Sequence, residues 1–197
     1  AKEYRALVIT YPESLLAPRA LYRMASAYSR SGQWSLAVEA VDRFEARYPG
    51  DARMAELKQL RAEGWAELGK VERAVSIFRR LWVEYPNSSA GKFAEDALGR
   101  LKARRIAVPA PTAAERLERA QNLYSAGAIR EAAETWEALL KHGASKAERP
   151  SIRLKIGVAL VKLGEDERAA SVLTPLAEKG QPVSIRIGAL NQLATLA

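Results

Sequence analysis

Gly32-Gln33-Trp34-Ser35-Leu36-Ala37-Val38-Glu39-Ala40-Val41-Asp42-Arg43-Phe44-Glu45-Ala46-Arg47-Tyr48-Pro49 is answered 37 residues on by Gly69-Lys70-Val71-Glu72-Arg73-Ala74-Val75-Ser76-Ile77-Phe78-Arg79-Arg80-Leu81-Trp82-Val83-Glu84-Tyr85-Pro86. A glycine, an alanine and a Tyr-Pro pair recur in register, and a third Tyr-Pro stands 37 residues earlier at Tyr11-Pro12. The same period returns further along, between Gly127 and Gly164, Ala132 and Ala169, and Gly143 and Gly180. Self-similarity at a fixed period of this length is the mark of a stacked repeat architecture.

Each period reads as a pair of helices. Leu21, Met24, Ala25 and Tyr28 make an i, i+3, i+4, i+7 apolar stripe, Arg30-Ser31-Gly32-Gln33 a turn, and Trp34, Ala37, Val38, Val41 and Phe44 a second stripe. Gly32 suits the left-handed position that ends a helix. The next copy carries Leu57, Leu60, Ala62 and Trp65, then Gly69, then Val71, Ala74, Ile77, Phe78 and Leu81. Alanines at 25, 37, 62 and 74 let neighbouring backbones approach closely. Ser14, Asp51 and Ser88 follow the Tyr-Pro pairs and are expected to cap the next helix.

Composition agrees with helices. Alanine and leucine supply 37 and 23 of the 197 residues, and both are strong helix formers. The fold expected is all-α, an α-α superhelix of antiparallel helix pairs. Its first block covers residues 1–103, two full repeats plus a helix over 89–103. A Pro-containing connector follows at 104–112, and a second block at 113–197 holds two repeats and the start of a third. The last stretch ends in apolar Leu193-Ala194-Thr195-Leu196-Ala197 where a solenoid normally carries a polar cap, and the opening Ala1 is not a methionine. The natural chain is therefore expected to continue.

Several chemistries are excluded by residue type. There is no cysteine, hence no disulfide, thiolate nucleophile or cysteine metal site, and the single histidine, His142, cannot make a His₂ or His₃ centre. No apolar run approaches the roughly 18–20 residues of a membrane span. The net charge of +8 is interspersed, as in Arg43-Phe44-Glu45-Ala46-Arg47, without the basic stripe of a nucleic-acid binder. Glu165-Asp166-Glu167 follows Gly164 at a helix start, where carboxylates are favoured without a metal. No glycine cluster forms a phosphate loop. The four tryptophans, Trp34, Trp65, Trp82 and Trp136, fall at or near repeat-core positions. No catalytic, cofactor-binding or metal-ligating residue is assigned.

These positions resemble the tetratricopeptide repeat. The family pattern falls on Leu21, Ala25, Tyr28, Gly32, Trp34, Ala37, Val41 and Pro49, and again on Ala62, Trp65, Gly69, Val71, Ala74, Phe78 and Pro86. Weaker copies follow at Ala120, Leu123, Gly127, Ile129, Ala132 and Trp136, then at Gly157, Leu160, Gly164, Ala169 and Leu173. The period of 37 exceeds the usual 34, and the three extra residues are expected to lengthen the helix after each proline by one turn. The resemblance implies a binding groove along the first helix of each pair. On that face lie Arg19, Tyr22, Ser26 and Arg30, then Gln59 and Glu63, then Gln121 and Tyr124. Such a row suits an extended peptide or a polar polymer.

A narrower resemblance rests on Tyr11-Pro12-Glu13-Ser14-Leu15-Leu16-Ala17, on Leu81-Trp82-Val83-Glu84-Tyr85-Pro86-Asn87-Ser88, and on Val108-Pro109-Ala110-Pro111-Thr112 leading into Arg116-Leu117-Glu118-Arg119-Ala120. Together they look like the N-terminal helical region of soluble lytic murein transglycosylases. That implies a non-catalytic periplasmic scaffold for a C-terminal peptidoglycan-cleaving domain, with protein or peptide partners, peptidoglycan, or both. The family's catalytic glutamate is followed by serine. Glu13-Ser14 matches only that pair and has no Gly-Leu-Met-Gln segment downstream. Two other readings stay open: a free-standing periplasmic adaptor with Tyr-Pro punctuated repeats, and a cytoplasmic co-chaperone holding C-terminal carboxylates. The latter needs Lys, Arg and Asn on adjacent inner helices, whereas Gln59 and Glu63 follow Arg19 and Arg30 here.

Overall fold

Proline and glycine set the boundaries of the helices. The residue ahead of a proline is pushed out of the helical region, and Tyr48 and Tyr85 accordingly sit at φ −134° and −127°. The computed structural model describes residues 2–196, among which eleven helices and no strand are found. They are α1 (Lys2–Thr10), α2 (Ala17–Arg30), α3 (Trp34–Arg47), α4 (Met54–Glu67), α5 (Val71–Glu84), α6 (Ser89–Ala103), α7 (Ala113–Ser125), α8 (Ile129–Lys141), α9 (Arg149–Lys162), α10 (Asp166–Ala177) and α11 (Val183–Ala194). The chain forms two compact units, residues 1–108 and 109–197.

Within each unit every helix packs on the next. In the first, α2 also touches α4 and α4 touches α6; in the second, α9 touches α11. Alternate helices therefore form two layers, as in a stack of antiparallel pairs. Ala25, Ala37, Ala62 and Ala74 are completely buried where these helices cross. The core of the first unit has two centres. One lies around Leu21, Val41, Phe44 and Leu57, the other around Phe78, Leu81, Ala90 and Ala94. The second unit is built around Trp136, Leu139, Ile156, Leu160 and Leu173.

Turns within the pairs share one geometry. Gly32 is left-handed at φ +70°, with its N–H donating to Ser29 O and that of Gln33 to Tyr28 O, at 3.0 and 2.9 Å. Gly69, Gly127 and Gly164 repeat it. The end of α6 does so with an arginine. Arg105 has φ +61°, its N–H donating to Lys102 O and that of Ile106 to Leu101 O. Beyond it the connector runs without regular structure to Thr112. There a capping box starts α7, as Thr112 Oγ1 accepts from Glu115 N and Glu115 Oε2 from Thr112 N.

Two sequence expectations change here, and one helix is added. Ser88 is an N-cap, its Oγ accepting from Gly91 N at 3.0 Å. Ser14 and Asp51 are not, since α2 and α4 begin three residues after them. Their side chains instead accept from Leu16 N and Arg53 N, closing short turns ahead of the helices. The extra residues of the long period therefore form a turn and do not extend the helix: α2 and α4 are 14 residues long, like α3 and α5. Pro18, in the first turn of α2, fits a helix that starts late. Finally, α1 precedes the repeats as a helix outside the expected pattern, with none of its residues buried.

Candidate functional site

Glu56, Leu60 and Glu63 are spaced i, i+4, i+7 on α4 and so share one face of it. With Gln59 from the same helix, Ser29 from α2, and Ser89 and Phe93 from α6, they line an open groove of about 440 Å³ across the α2–α4–α6 layer. Tyr22 Oη donates to Glu56 Oε2 at 2.8 Å, and Gln59 Nε2 to Glu63 Oε1 at 2.9 Å. Ser26 Oγ donates to the Tyr22 carbonyl at 2.9 Å. The hydrogen bond to Glu56, reinforced by burial, raises the Tyr22 phenol above its ordinary pKa, so it stays a donor. Of the residues expected from sequence, Gln59 and Glu63 line the groove, and Tyr22 reaches it through Glu56, with Ser26 bonded to the Tyr22 carbonyl.

The sequence profile of the tetratricopeptide repeat family matches residues 22–89 and 117–180, about two-thirds of the chain. The chain belongs to the tetratricopeptide repeat family. No curated protein matches it. As a tetratricopeptide repeat protein it is a protein-interaction scaffold, with protein partners. Among the described residues, no helix is long and apolar enough to cross a membrane.

The remaining expected residues of the repeat protein lie apart from the groove. Arg19 lines a crevice of about 340 Å³ between α1 and α2, beside Tyr4, Leu16 and Arg23. Arg30 is exposed on the last turn of α2. Gln121 and Tyr124 belong to the second unit and are organised by lysines of α9. Lys155 Nζ donates to Gln121 Oε1 at 2.8 Å and lies 5.7 Å from the Trp136 ring centroid. Lys162 Nζ lies 4.5 Å above the Tyr124 ring, which packs against Trp136 at 5.7 Å.

Groove residues absent from the sequence reading are Glu56, Leu60, Ser29, Ser89 and Phe93. The i, i+4, i+7 row through Glu63 could have supplied the two on α4. Those on α6 carry no such signal, since that helix has no second copy in register after it. Polar residues weighed for chemistry have structural partners. His142 is the C-cap of α8. Glu165 is the N-cap of α10 and pairs with Arg130 at 2.7 Å and with Arg168. Glu13 is exposed and pairs with Arg47 at 2.5 Å. Trp136 is fully buried, whereas Trp34, Trp65 and Trp82 are half-buried.

Proposed function

We propose that this repeat protein is the non-catalytic scaffold of a peptidoglycan-processing lytic transglycosylase in the periplasm. In this reading the α2–α4–α6 groove docks a protein partner, and a catalytic domain follows in the parent protein. The observation that carries the docking part is the groove itself, an open polar surface presented by three consecutive inner helices. Support for the transglycosylase part is the run Tyr11-Pro12-Glu13-Ser14-Leu15-Leu16-Ala17 together with the Val108–Thr112 connector, which resemble that family's helical region. Peptidoglycan is the second partner of this reading, attracted by the chain's net charge of +8.

Co-sedimentation of the purified chain with isolated cell walls tests it. Salt-sensitive sedimentation, weakened by charge reversal at Arg19 and Arg30, is expected; a chain that stays in the supernatant at low salt sinks the cell-wall part. A free-standing periplasmic adaptor for envelope assembly is the second reading, favoured by the Tyr-Pro punctuation that such adaptors also use. Sequencing the native gene past the codon for Ala197 separates the two. A Glu-Ser pair followed by a Gly-Leu-Met-Gln-like segment identifies the transglycosylase, and an early stop codon the adaptor.

A further inference from the structure

Charges on α4 are sorted by face. Arg53, just ahead of the helix, is held by Asp51 through Nε and Nη2 at 2.8 and 2.6 Å. Lys58 reaches Glu84 on α5 at 2.8 Å. Arg61 reaches Asp42 and Glu45 on α3 at 3.0 and 2.5 Å. Lys58 and Arg61 are committed away from the groove, while Arg53 lies 5.7 Å from the Tyr22 ring centroid on the Glu56 side, with its guanidinium hydrogen-bonded to Asp51. Glu56 and Glu63 face it, and their hydrogen-bond donors are neutral, Tyr22 Oη and Gln59 Nε2. Among the described residues neither carboxylate has an ion pair. Among the described residues no lysine or arginine lines the groove, and its apolar contribution comes from Leu60, between the two carboxylates, and from Phe93 on α6.

A groove of negative sign in a chain of net charge +8 selects strongly by charge. A cationic ligand is repelled by the molecule's overall field and attracted here, while an anionic one is rejected by the groove. Along α4, seven residues separate Glu56 from Glu63, a rise of about 10 Å at about 1.5 Å per residue. A polyproline II segment, with three residues per turn and about 3.1 Å per residue, puts side chains three residues apart on one face at about that distance. We infer that the groove takes a basic segment of a partner protein in polyproline II conformation, with two cationic side chains three residues apart on Glu56 and Glu63 and the apolar side chain beside the first turned toward Leu60 and Phe93. This rests on the reading of the α2–α4–α6 face as the docking surface and names the chemistry of what docks.

Fluorescence anisotropy of the full chain with a labelled hexapeptide, Gly-Arg-Leu-Ala-Arg-Gly, provides the test. Matched peptides carry glutamine or glutamate in place of both arginines. The arginine peptide is expected to bind in a salt-sensitive way and the glutamate peptide not to bind. Glu56→Gln with Glu63→Gln should weaken the arginine peptide about tenfold, the loss of two partly exposed ion pairs. Phe93→Ala should weaken it as well, with helicity by circular dichroism unchanged in both variants. If the glutamine peptide binds equally well and the double variant has no effect, but Phe93→Ala does, the docking surface stands and its preference for cations is overturned. Failure of all three peptides to bind overturns both.

Discussion

Arg105 holds a backbone conformation that glycine holds at the matching turns among the described residues, φ +61° against +69° to +81° at Gly32, Gly69, Gly127 and Gly164. A side chain in the left-handed region costs about 1–2 kcal/mol. Part of that is returned by the lower entropy of a non-glycine residue in the unfolded chain. Arg105→Gly is therefore expected to stabilise the protein by about 0.5–1 kcal/mol, read as a higher urea midpoint with an unchanged slope. Gly91→Ala should go the other way. A Cβ there would be driven into the Tyr85 carbonyl oxygen and the backbone of Pro86, which cannot swing aside as a side chain end can. A loss of about 2 kcal/mol is expected, measured by the same urea unfolding; an unchanged midpoint would mean that α6 shifts freely on the Tyr-Pro turn.

At the scale of helix pairs, α4 and α5 are joined by a charged clasp whose pH response follows from its partners. Burial alone would push the Glu84 carboxyl up, but Lys58 at 2.8 Å and Arg80 outweigh it and hold Glu84 below its ordinary range. Asp51 is held low by its hydrogen bonds from Arg53. A carboxylate depressed in the folded state adds stability that is complete above its unfolded pKa of about 4 and is lost as pH falls through the folded value. Thermal unfolding should therefore move to lower temperature as pH drops below about 4. Glu84→Gln should flatten that fall while lowering stability at neutral pH by about 1 kcal/mol, the value of one partly buried pair. Elements of this kind were unevenly legible in the sequence. The stripes of α2 to α5, the glycine turns and the extent of α6 could be read because apolar spacing and φ preference act locally. The starts of α2 and α4 could not, since Ser14 and Asp51 satisfy their own turns as readily as a helix end. The α4–α5 clasp joins residues 26 apart, which no local pattern records.

Across the whole molecule, the two compact units and the segment between them set the expected pattern of cleavage. Arg104 and Arg105 are exposed at the end of α6, ahead of a stretch without regular structure. Limited trypsin digestion should cut there first and yield two fragments that keep helical circular dichroism, each having its own core. Early cuts inside α2 to α5 would contradict the packing described. In the second unit Trp136→Ala removes the largest fully buried side chain and should cost about 3–5 kcal/mol, seen as faster amide exchange in α7 to α10. Of the residues that line the groove, the sequence reading includes Gln59 and Glu63 but not the α6 side or the sign of its charge. The sign emerges only when Arg53 is found paired with Asp51, Lys58 with Glu84, and Arg61 with Asp42 and Glu45. The repeat frame also bears on how such a protein enlarges. Because α4 meets α2 much as α6 meets α4, a tandem copy of residues 51–87 would present to each neighbour a surface it already fits. Duplication of that piece of gene would add one helix pair and a further length of docking face without a new interface being invented, so reach can change in whole steps while the fold stays as it is.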